Sequence, residues 1–319
     1  MRAMRYHEYG GPECLREDVV ERPRAAEDEI LIEVAGASVN PADWKLGAGY
    51  ARGMFELPMP FTPGADFAGI VREVGAKVSG FAVGDRVFAA KFINQGGAFA
   101  EYVTASAAIV AHVPKNVPLK LAAAVPLAAL TAWEAVAGAA LSPGQRVLVQ
   151  GGAGGTGIFA VQFAKQAGTH VIVTASAGNH EMLRALGADE VIDYRTQRFE
   201  DAAGPVDAVI ELVGGDVTSR SIPLIRRGGV LSSIVPSPAD IMAGYQILAH
   251  QRGVRLSFVN MGGKRDMAAF GEIARRLETG ALKVIVSETL PLSQATQAMA
   301  ASRNGHVRGK IVLTVGAFA

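Results

Sequence analysis

Two patterns of apolar and polar residues divide this chain near residue 119. Before that point, short β-prone runs alternate with turns rich in Gly and Pro. Turn signals that recur about every 8–12 residues predict a small barrel or sandwich. The predicted strands cover residues 30–35, 69–75, 86–90 and 98–103, and the last of them alternates like a half-buried strand.

From residue 119 onward, helical and strand-like segments alternate. Strands are predicted at 147–150, 170–174, 190–193, 206–212, 229–235 and 254–259, and helices at 156–167 and 179–186. This alternation indicates a parallel, doubly wound sheet with helices on both faces. After residue 284 the pattern returns to strands and ends in one at 309–315, so the tail is expected to rejoin the first domain. The predicted domains are 1–118, 119–283 and 284–319.

The apolar stretch 121–141 is long enough to be compared with a membrane span. Pro126, Glu134 and Gly138 interrupt it, and its many alanines are only weakly hydrophobic, so a buried helix is predicted. The N-terminus carries charges but no apolar signal-peptide core behind them. A cytoplasmic protein without a membrane segment is expected.

Charge and cysteine content argue against several functions. The 319 residues include 31 basic and 30 acidic side chains, and no run of Lys and Arg is longer than two. A nucleic-acid partner is therefore not expected, because nothing concentrates positive charge for a phosphate backbone. The lone Cys14 can form neither an internal disulfide nor a four-thiolate zinc site.

A glycine-rich segment carries the first chemical signal. Gly152-Ala-Gly-Gly-Thr-Gly157 matches G-x-G-x-x-G, a pattern that alone is weak in a chain with 37 glycines. Here a predicted strand precedes it, and a helix and a second strand complete a β–α–β unit of roughly 30 residues. The segment is therefore predicted to hold the pyrophosphate of a dinucleotide at a helix N-terminus, through Gly152, Gly154, Gly155, Thr156 and Gly157. The alternative is a turn that only packs strand on helix.

The end of the second strand of this unit bears on which dinucleotide binds. An NAD site usually has Asp or Glu there, about 20 residues beyond the loop, to accept from the ribose 2′-OH. The segment Thr174-Ala-Ser-Ala-Gly178 has no carboxylate, which permits the 2′-phosphate of NADPH. Ser176 is predicted to donate to that phosphate, with His180, Tyr194 and Arg195 as further donors. For His180 the alternative is an exposed helix residue.

Several motifs together resemble the medium-chain dehydrogenase/reductase superfamily. Gly64-Ala-Asp-Phe-Ala-Gly69 is similar to its first-domain signature. Ser38-Val-Asn-Pro-Ala-Asp43, the glycine loop and the closing Gly305-His-Val-Arg-Gly-Lys-Ile-Val-Leu313 resemble its zinc-independent quinone oxidoreductase and enone (2-alkenal) reductase branch. The resemblance covers nearly the whole chain. It implies an α/β protein with a GroES-like β-barrel domain, a Rossmann domain with a doubly wound parallel sheet, and a nicotinamide in the cleft between them.

The same resemblance bears on metal binding. Where the zinc alcohol dehydrogenases have Cys and Gly-His-Glu, this sequence has Asn40 and Gly64-Ala-Asp66. The six histidines have no zinc-like spacing, so no metal is expected. Alcohol oxidation would then lack a Lewis acid. Reduction of a quinone or of an enone β-carbon by NADPH is the expected chemistry, since these acceptors take hydride without metal activation.

The resemblance also implies roles for individual residues. Asn40 is assigned to the nicotinamide side, and Lys45 to the nicotinamide ribose or the developing oxyanion, the alternative for Lys45 being a solvated loop charge. Solvent could protonate the product anion, since no Ser/Tyr/Lys relay motif is visible. Thr131 is assigned to the nicotinamide, with the helix backbone at Leu127 as its alternative partner.

The remaining candidates lie directly after predicted strands or in one loop. Val213 and Val235 follow strands of the parallel sheet, where such folds bind ligands. Tyr50 and Phe55 are predicted to line the substrate entrance, and for Phe55 the alternative is ordinary interdomain packing. Members of the branch often form homodimers, and some serve as NADPH-sensing or RNA-binding proteins. That binding function is the alternative to an enzyme.

Overall fold

A computed structural model describes residues 1–259 and 265–316 of the chain. They divide into two compact units. The first combines Met1–Leu127 with the C-terminal residues from 265 onward, and the second contains residues 128–259. Each unit has its own β-sheet and its own apolar core.

Most of the described strands are short. Their bounds are β1 Arg2–Tyr6, β2 Leu15–Val19, β3 Glu29–Val39, β4 Asp66–Val74, β5 Arg86–Ala90, β6 Tyr102–Ser106, β7 Val110–His112, β8 Arg146–Val149, β9 His170–Ala175, β10 Glu190–Asp193, β11 Val206–Glu211, β12 Ile225–Ser233, β13 Arg255–Phe258, β14 Val286–Pro291 and β15 Lys310–Thr314. The longest of these are β3, β4 and β12. The helices are α1 Pro41–Gly47, α2 Leu119–Ala123, α3 Pro126–Ala139, α4 Gly157–Gln166, α5 His180–Ala185, α6 Phe199–Ala202, α7 Asp216–Ser221, α8 Ala239–Arg252, α9 Met267–Glu278 and α10 Ala295–Asn304.

In the first unit, β3 organises the main sheet. The strand order is β14-β15-β3-β4-β5-β7, and β6 also pairs with β3. On β3, Ser38 lies opposite Asp66 of β4 and Val39 lies opposite Ile311 of β15. This antiparallel pairing brings the end of β3 beside the starts of β4 and β15. Polar residues far apart in sequence therefore meet at one place.

In the second unit, six parallel strands follow the order β10-β9-β8-β11-β12-β13. Numbered within the unit, this is the order 3-2-1-4-5-6 of a dinucleotide-binding sheet. The order reverses between β8 and β11, and ligands of such sheets bind at the carboxyl ends of the strands on either side of that point. The sequence prediction of a doubly wound sheet agrees with this topology.

Three predicted elements need correction. The strand expected at 98–103 is β6, at Tyr102–Ser106, because Ala98, Phe99 and Ala100 are all buried and do not alternate. The apolar stretch 121–141 forms two helices, α2 and α3, and Pro126 begins the second. The tail has the expected strands β14 and β15, but it also contains α10, which packs Ala295, Ala298 and Met299 into the core at helical spacing.

The compact units do not coincide with the predicted domain boundaries at 118/119 and 283/284. Helix α2 packs on β3 and β4, and α9 packs on β7, so both helices belong to the first unit by contact. Where the functional domains begin and end stays a prediction. Among residues 1–259 and 265–316, no helix has the length and apolar character needed to cross a bilayer.

Candidate functional site

The glycine loop joins β8 to α4 at the carboxyl edge of the parallel sheet. Its first and last glycines are needed for packing. A Cβ on Gly152 would come within 2.1 Å of Val173 Cγ1, and one on Gly157 within 2.4 Å of the Gly151 carbonyl oxygen. The loop can lie this close to β9 and α4 only without side chains at these positions.

Gly154 differs from these two glycines. A Cβ there would meet only the Gly151 carbonyl oxygen, at 3.5 Å, which is an ordinary contact. The fold therefore does not require glycine at 154, and the space above the loop is open. Close approach of a ligand to the backbone, as at the predicted pyrophosphate site, would account for the missing side chain. The Thr156 side chain makes no capping bond to α4, so this helix N-terminus is not closed by it.

A hydroxyl on the neighbouring strand fixes the start of the loop. Thr174 Oγ1 accepts the Gly151 N–H at 3.1 Å and donates to Gln150 Oε1 at 2.6 Å, and the Thr174 carbonyl accepts the Gly152 N–H at 3.2 Å. Gln150 Nε2 in turn donates to Ser221 Oγ at 3.1 Å. Both Gln150 and Thr174 are buried. Sequence reasoning missed this pair, although a polar residue in each of two adjacent buried strands was a usable signal.

A buried carboxylate organises the turns after β11 and β12. Glu211 accepts the N–H groups of Val213 and Gly214, both at 2.7 Å, through one oxygen. Its other oxygen accepts from Thr218 Oγ1 at 3.0 Å and Ser233 Oγ at 3.1 Å. Four donors thus satisfy a carboxylate that is completely buried.

The two turns that Glu211 holds contain predicted cofactor contacts. Val213 is 52% exposed, and a Cβ on Gly151 would come within 3.0 Å of its Cγ2. Val235 is half-buried, and its Cγ1 lies 2.7 Å from where a Cβ of Gly214 would be. The structure therefore brings Val213, Val235 and the glycine loop together beside the reversal in strand order.

The predicted 2′-phosphate donors follow β9 and β10, two adjacent strands. Ser176 is half-buried and its Oγ accepts from Asn179 Nδ2 at 3.0 Å. His180 is half-buried at the start of α5, with Nε2 3.4 Å from the Ala175 carbonyl oxygen, so it is not the exposed residue of the alternative. Tyr194 is exposed, and the Arg195 guanidinium lies 6.0 Å from its ring centre.

Thr131 lies in the middle of α3 and is buried. Trp133 and Phe163 pack edge to face at 5.3 Å, as packing residues do. The assignment of Thr131 to the cofactor stays a prediction.

The first unit contains a second polar centre, a cluster of buried charges. Asp66 Oδ2 accepts from Ser38 Oγ at 2.7 Å and from Asn40 Nδ2 at 2.9 Å. Lys310 Nζ donates to Asn40 Oδ1 at 2.5 Å and lies 3.7 Å from Asp66 Oδ2. Asp43 Oδ2 accepts the Asn40 N–H at 2.8 Å and so fixes the start of α1. Asn40 is buried, so the candidate catalytic amide is held from several sides.

Burial shifts the protonation of two members of this cluster. Desolvation raises the pKa of Asp43 to about 7, with a further rise from the nearby Asp66 carboxylate. Desolvation also lowers the pKa of Lys310, against the opposing effect of Asp66 and Asp43. Asp66 and Lys310 both lie in the family-like motifs, but the motifs alone indicate no role for either. A lysine at the head of the wholly buried run Lys310–Thr314 was the available signal.

The other candidates of the first unit lie on or after α1. Lys45 is exposed on the helix rather than in a loop, with Nζ 5.6 Å from the Trp44 ring centre. Tyr50 is 73% exposed and meets Trp44 edge to face at 5.9 Å. Phe55 packs on a small apolar cluster of Leu46, Leu57 and Phe61. The structure therefore groups Lys45 and Tyr50 around Trp44, and Phe55 beside the same helix.

A metal site requires several ligating side chains close together. Within residues 1–259 and 265–316, no group of three or more His, Cys, Asp or Glu could hold a metal ion. The expectation of a metal-free site stays a prediction.

Comparison with known proteins adds the family context. Residues 26–115 match the alcohol dehydrogenase GroES-like domain, and residues 186–313 match the family described as zinc-binding dehydrogenase. The chloroplast envelope quinone oxidoreductase homolog of Arabidopsis thaliana is 34% identical, covering 98% of each chain. The NADPH-dependent alkenal/one oxidoreductase of the same plant is 32% identical, covering 98% of this chain and 79% of its own length.

A solved structure extends the similarity to three dimensions. The quinone oxidoreductase from Coxiella burnetii superimposes with a TM-score of 0.92 at 34% identity, covering 99% of both chains. The fold class predicted from the sequence, a GroES-like domain with a Rossmann-type parallel-sheet domain, is confirmed.

Proposed function

Because the chain belongs to the medium-chain dehydrogenase/reductase superfamily, in its quinone and alkenal/one oxidoreductase branch, we propose that it is an NADPH-dependent reductase. It transfers hydride to quinones or to α,β-unsaturated carbonyl compounds. The observation that carries the proposal is the open Gly154 position at the strand-order reversal of the parallel sheet. The regulatory or RNA-binding alternative finds no support among the relatives described above.

The residues of the second unit fit a dinucleotide. The glycine loop offers backbone N–H groups and the N-terminus of the ten-residue helix α4 to the pyrophosphate. Thr174 and Gln150 keep the loop in place, and Glu211 keeps the two turns beside it in place. Val213 offers an apolar surface next to the loop. When bound, NADPH supplies the hydride from its nicotinamide ring.

The 2′-phosphate end is proposed to lie beyond β9 and β10. Ser176 and His180 offer polar atoms there, and Tyr194 and Arg195 follow the adjacent strand. The segment 174–178 carries no carboxylate, so nothing in it repels a phosphate dianion. This favours NADPH over NADH.

On the acceptor side, we assign Lys45 to the developing oxyanion or the nicotinamide ribose, and Tyr50 and Phe55 to the acceptor. A cation and an aromatic ring suit an acceptor that is flat, conjugated and gains negative charge as hydride arrives. Thr131 remains assigned to the nicotinamide. The final proton is proposed to come from solvent.

Independence from zinc is part of the proposal. Asn40, Ala65 and Asp66 stand where the zinc alcohol dehydrogenases have metal ligands. The Asn40 amide and the Asp66 carboxylate bind each other, and the Lys310 ammonium already contacts Asn40. A second cation would have to displace these bonds. A quinone or enone needs no Lewis acid to accept hydride, whereas alkoxide formation from an alcohol does.

The test is turnover of purified protein. NADPH oxidation is followed with 9,10-phenanthrenequinone and with a short-chain enone, before and after dialysis against EDTA, and kcat/KM is compared across acceptors. Both acceptor classes are assayed with NADPH and NADH. We expect NADPH-dependent reduction that EDTA leaves unchanged. If protein that is folded and binds NADPH reduces no acceptor, the proposed activity is wrong. If EDTA abolishes turnover and zinc restores it, the metal-free site is wrong.

Compartment and oligomeric state are also part of the proposal. We infer a cytoplasmic homodimer, since the branch often dimerises and no membrane-spanning helix is found in the described residues. Light scattering of the purified chain tests the dimer.

A further inference from the structure

The most unusual side chain of the first unit is Lys310. It is 3% exposed, although it carries an ammonium group at the start of a strand. Its Nζ donates to the Val39 carbonyl at 3.0 Å and to Asn40 Oδ1 at 2.5 Å. Asp66 Oδ2 is the nearest negative charge, at 3.7 Å. Burying such a group is expensive, and an apolar residue of similar size often stabilises a fold as well or better.

Lys310, Asp66 and Ser38 all bind the Asn40 side chain. The amide oxygen accepts from Lys310, and the amide nitrogen donates to Asp66 at 2.9 Å with a longer contact to the Ser38 carbonyl at 3.4 Å. The orientation of the amide is therefore fixed, because reversing it would place two donors against the ammonium and an oxygen against the carboxylate. The Asn40 side chain is thus held in place at the N-terminus of α1, the helix that contains Lys45 and precedes Tyr50.

The same carboxylate also reaches a second helix. Asp66 Oδ1 accepts the Leu127 N–H at 2.7 Å, in the first turn of α3. A carboxylate is favourable at a helix N-terminus, and here it is completely buried. One charge pair thus connects β3, β15, β4 and the start of α3. The helix that begins there contains Thr131 one turn further on.

We propose that Lys310 is a positioning residue for hydride transfer: its ammonium fixes the Asn40 amide and, through Asp66, the starts of α1 and α3. This rests on the proposed reductase function. Asn40 and Asp66 stand at positions that carry metal ligands in zinc alcohol dehydrogenases. In this chain an internal ammonium joins these positions in place of a metal ion. Lys310 is buried and acts through Asn40 and Asp66.

The test replaces the charge while keeping the bulk. Lys310→Met removes the ammonium, and Asp66→Asn with Lys310→Met removes both charges and so avoids an unpaired buried carboxylate. Lys91→Met is the matched control. Lys91 is a half-buried lysine of the same unit whose Nζ donates to the Thr104 carbonyl at 2.9 Å and whose pKa burial also lowers. For each variant we would measure Tm, the Kd for NADPH, kcat, KM and amide hydrogen exchange.

We expect the double variant to recover the Tm that Lys310→Met loses. Its kcat should stay about 10- to 100-fold below that of wild type, because a small displacement of the reacting groups slows the reaction by about this much. The Kd for NADPH should change less than about 3-fold, since the glycine loop is untouched. Exchange at Asn40 and Leu127 should accelerate in both Lys310 variants but not in Lys91→Met.

A double variant with wild-type kcat and wild-type exchange would overturn the inference and leave the reductase function intact. Equal loss of kcat in Lys91→Met at equal Tm would also overturn it, because the effect would then be general destabilisation. If the wild-type protein reduces no acceptor, the proposed function is wrong. The positioning role is then tested by exchange alone, and unchanged exchange at Asn40 and Leu127 in the Lys310 variants would refute it.

Discussion

The glycine loop of the second unit and the charged cluster of the first unit are held in place by different interactions. Around the loop, backbone groups, the Thr174 hydroxyl and the Gln150 amide make short-range bonds between adjacent parallel strands. In the cluster, the side chains of Asp43, Asp66 and Lys310 are buried together, and Asp43 and Lys310 lie far apart in the sequence. The loop is neutral, whereas the cluster depends on charge.

This difference determines which mutations and conditions affect each region. A neutral loop shaped by missing side chains is sensitive to added atoms and insensitive to pH. A cluster of buried charges is sensitive to the loss of a partner, because an unpaired ion in the interior costs several kcal/mol. The two regions are therefore expected to respond to different perturbations.

Added bulk above the loop should have the largest effect. Gly154→Val is expected to weaken NADPH binding about 100-fold, roughly 2.7 kcal/mol, because the side chain takes the space of the pyrophosphate. Fluorescence titration measures the Kd. Gly244→Val in α8 is the control, since a Cβ there meets nothing within 4 Å, while a Cβ at 154 makes one ordinary contact. An unchanged Kd in folded Gly154→Val would mean that the loop only packs strand on helix.

A pH experiment should act on the cluster alone. The pKa of Asp43 is raised from 3.8 to about 7 in the fold, so the folded chain keeps a proton that the unfolded chain has already released. Its contribution to stability is complete below about pH 4 and is lost as pH rises through 7. Between pH 5.5 and 8 the loss is about 2 kcal/mol.

Urea unfolding at both pH values measures it, with Asp43→Asn as the variant. The neighbouring charged and titratable groups Asp66, Lys310 and Tyr6 are kept in both proteins. Asp43→Asn should lose the fall in stability that occurs as the pH rises from about 4 to 7. The same slope in both proteins would show that Asp43 is ionised in the fold.

Removal of the Thr174 hydroxyl should loosen the loop without adding bulk. Thr174→Val leaves the Gly151 N–H and the Gln150 side chain short of a partner, which costs about 1–3 kcal/mol of unfolding free energy. NADPH binding should weaken about 10-fold as the loop shifts. Thr169→Val is the control, because Thr169 is equally buried and bonds the Ala164 carbonyl just before β9, at the opposite edge of the sheet. Equal effects of both variants on the Kd would remove the loop-fixing role.

A new charge at the end of β9 should have the smallest effect. Ser176→Asp is expected to lower the preference for NADPH over NADH about 5-fold, since a partly solvated carboxylate repels the 2′-phosphate only moderately. The ratio of kcat/KM values with the two nucleotides measures this. Ser142→Asp adds the same charge to an exposed serine before β8, at the other edge of the sheet. If both variants keep the wild-type ratio, another pocket reads the phosphate.

The sequence predicted the second region much better than the first. Strands β8 to β11 and the helices α4 and α5 between them repeat a local pattern, and the glycine motif lies between neighbours in sequence. The cluster depends on the pairing of Ser38 with Asp66 and of Val39 with Ile311, which no local pattern encodes. The resemblance therefore identifies Asn40 as a site residue, but no local pattern pairs it with Lys310. In the sequence, Thr174 is only part of a segment without carboxylates. Its role in holding the loop depends on its contacts with Gly151 and Gln150, which follow a neighbouring strand.

The most direct test of the account is a crystal structure of the chain with NADPH. We expect the diphosphate to contact the backbone of residues 152–157 and the 2′-phosphate to lie beside Ser176. No protein atom should fill the space above Gly154. A nucleotide bound away from this loop, or a loop that stays empty in protein saturated with NADPH, would contradict it.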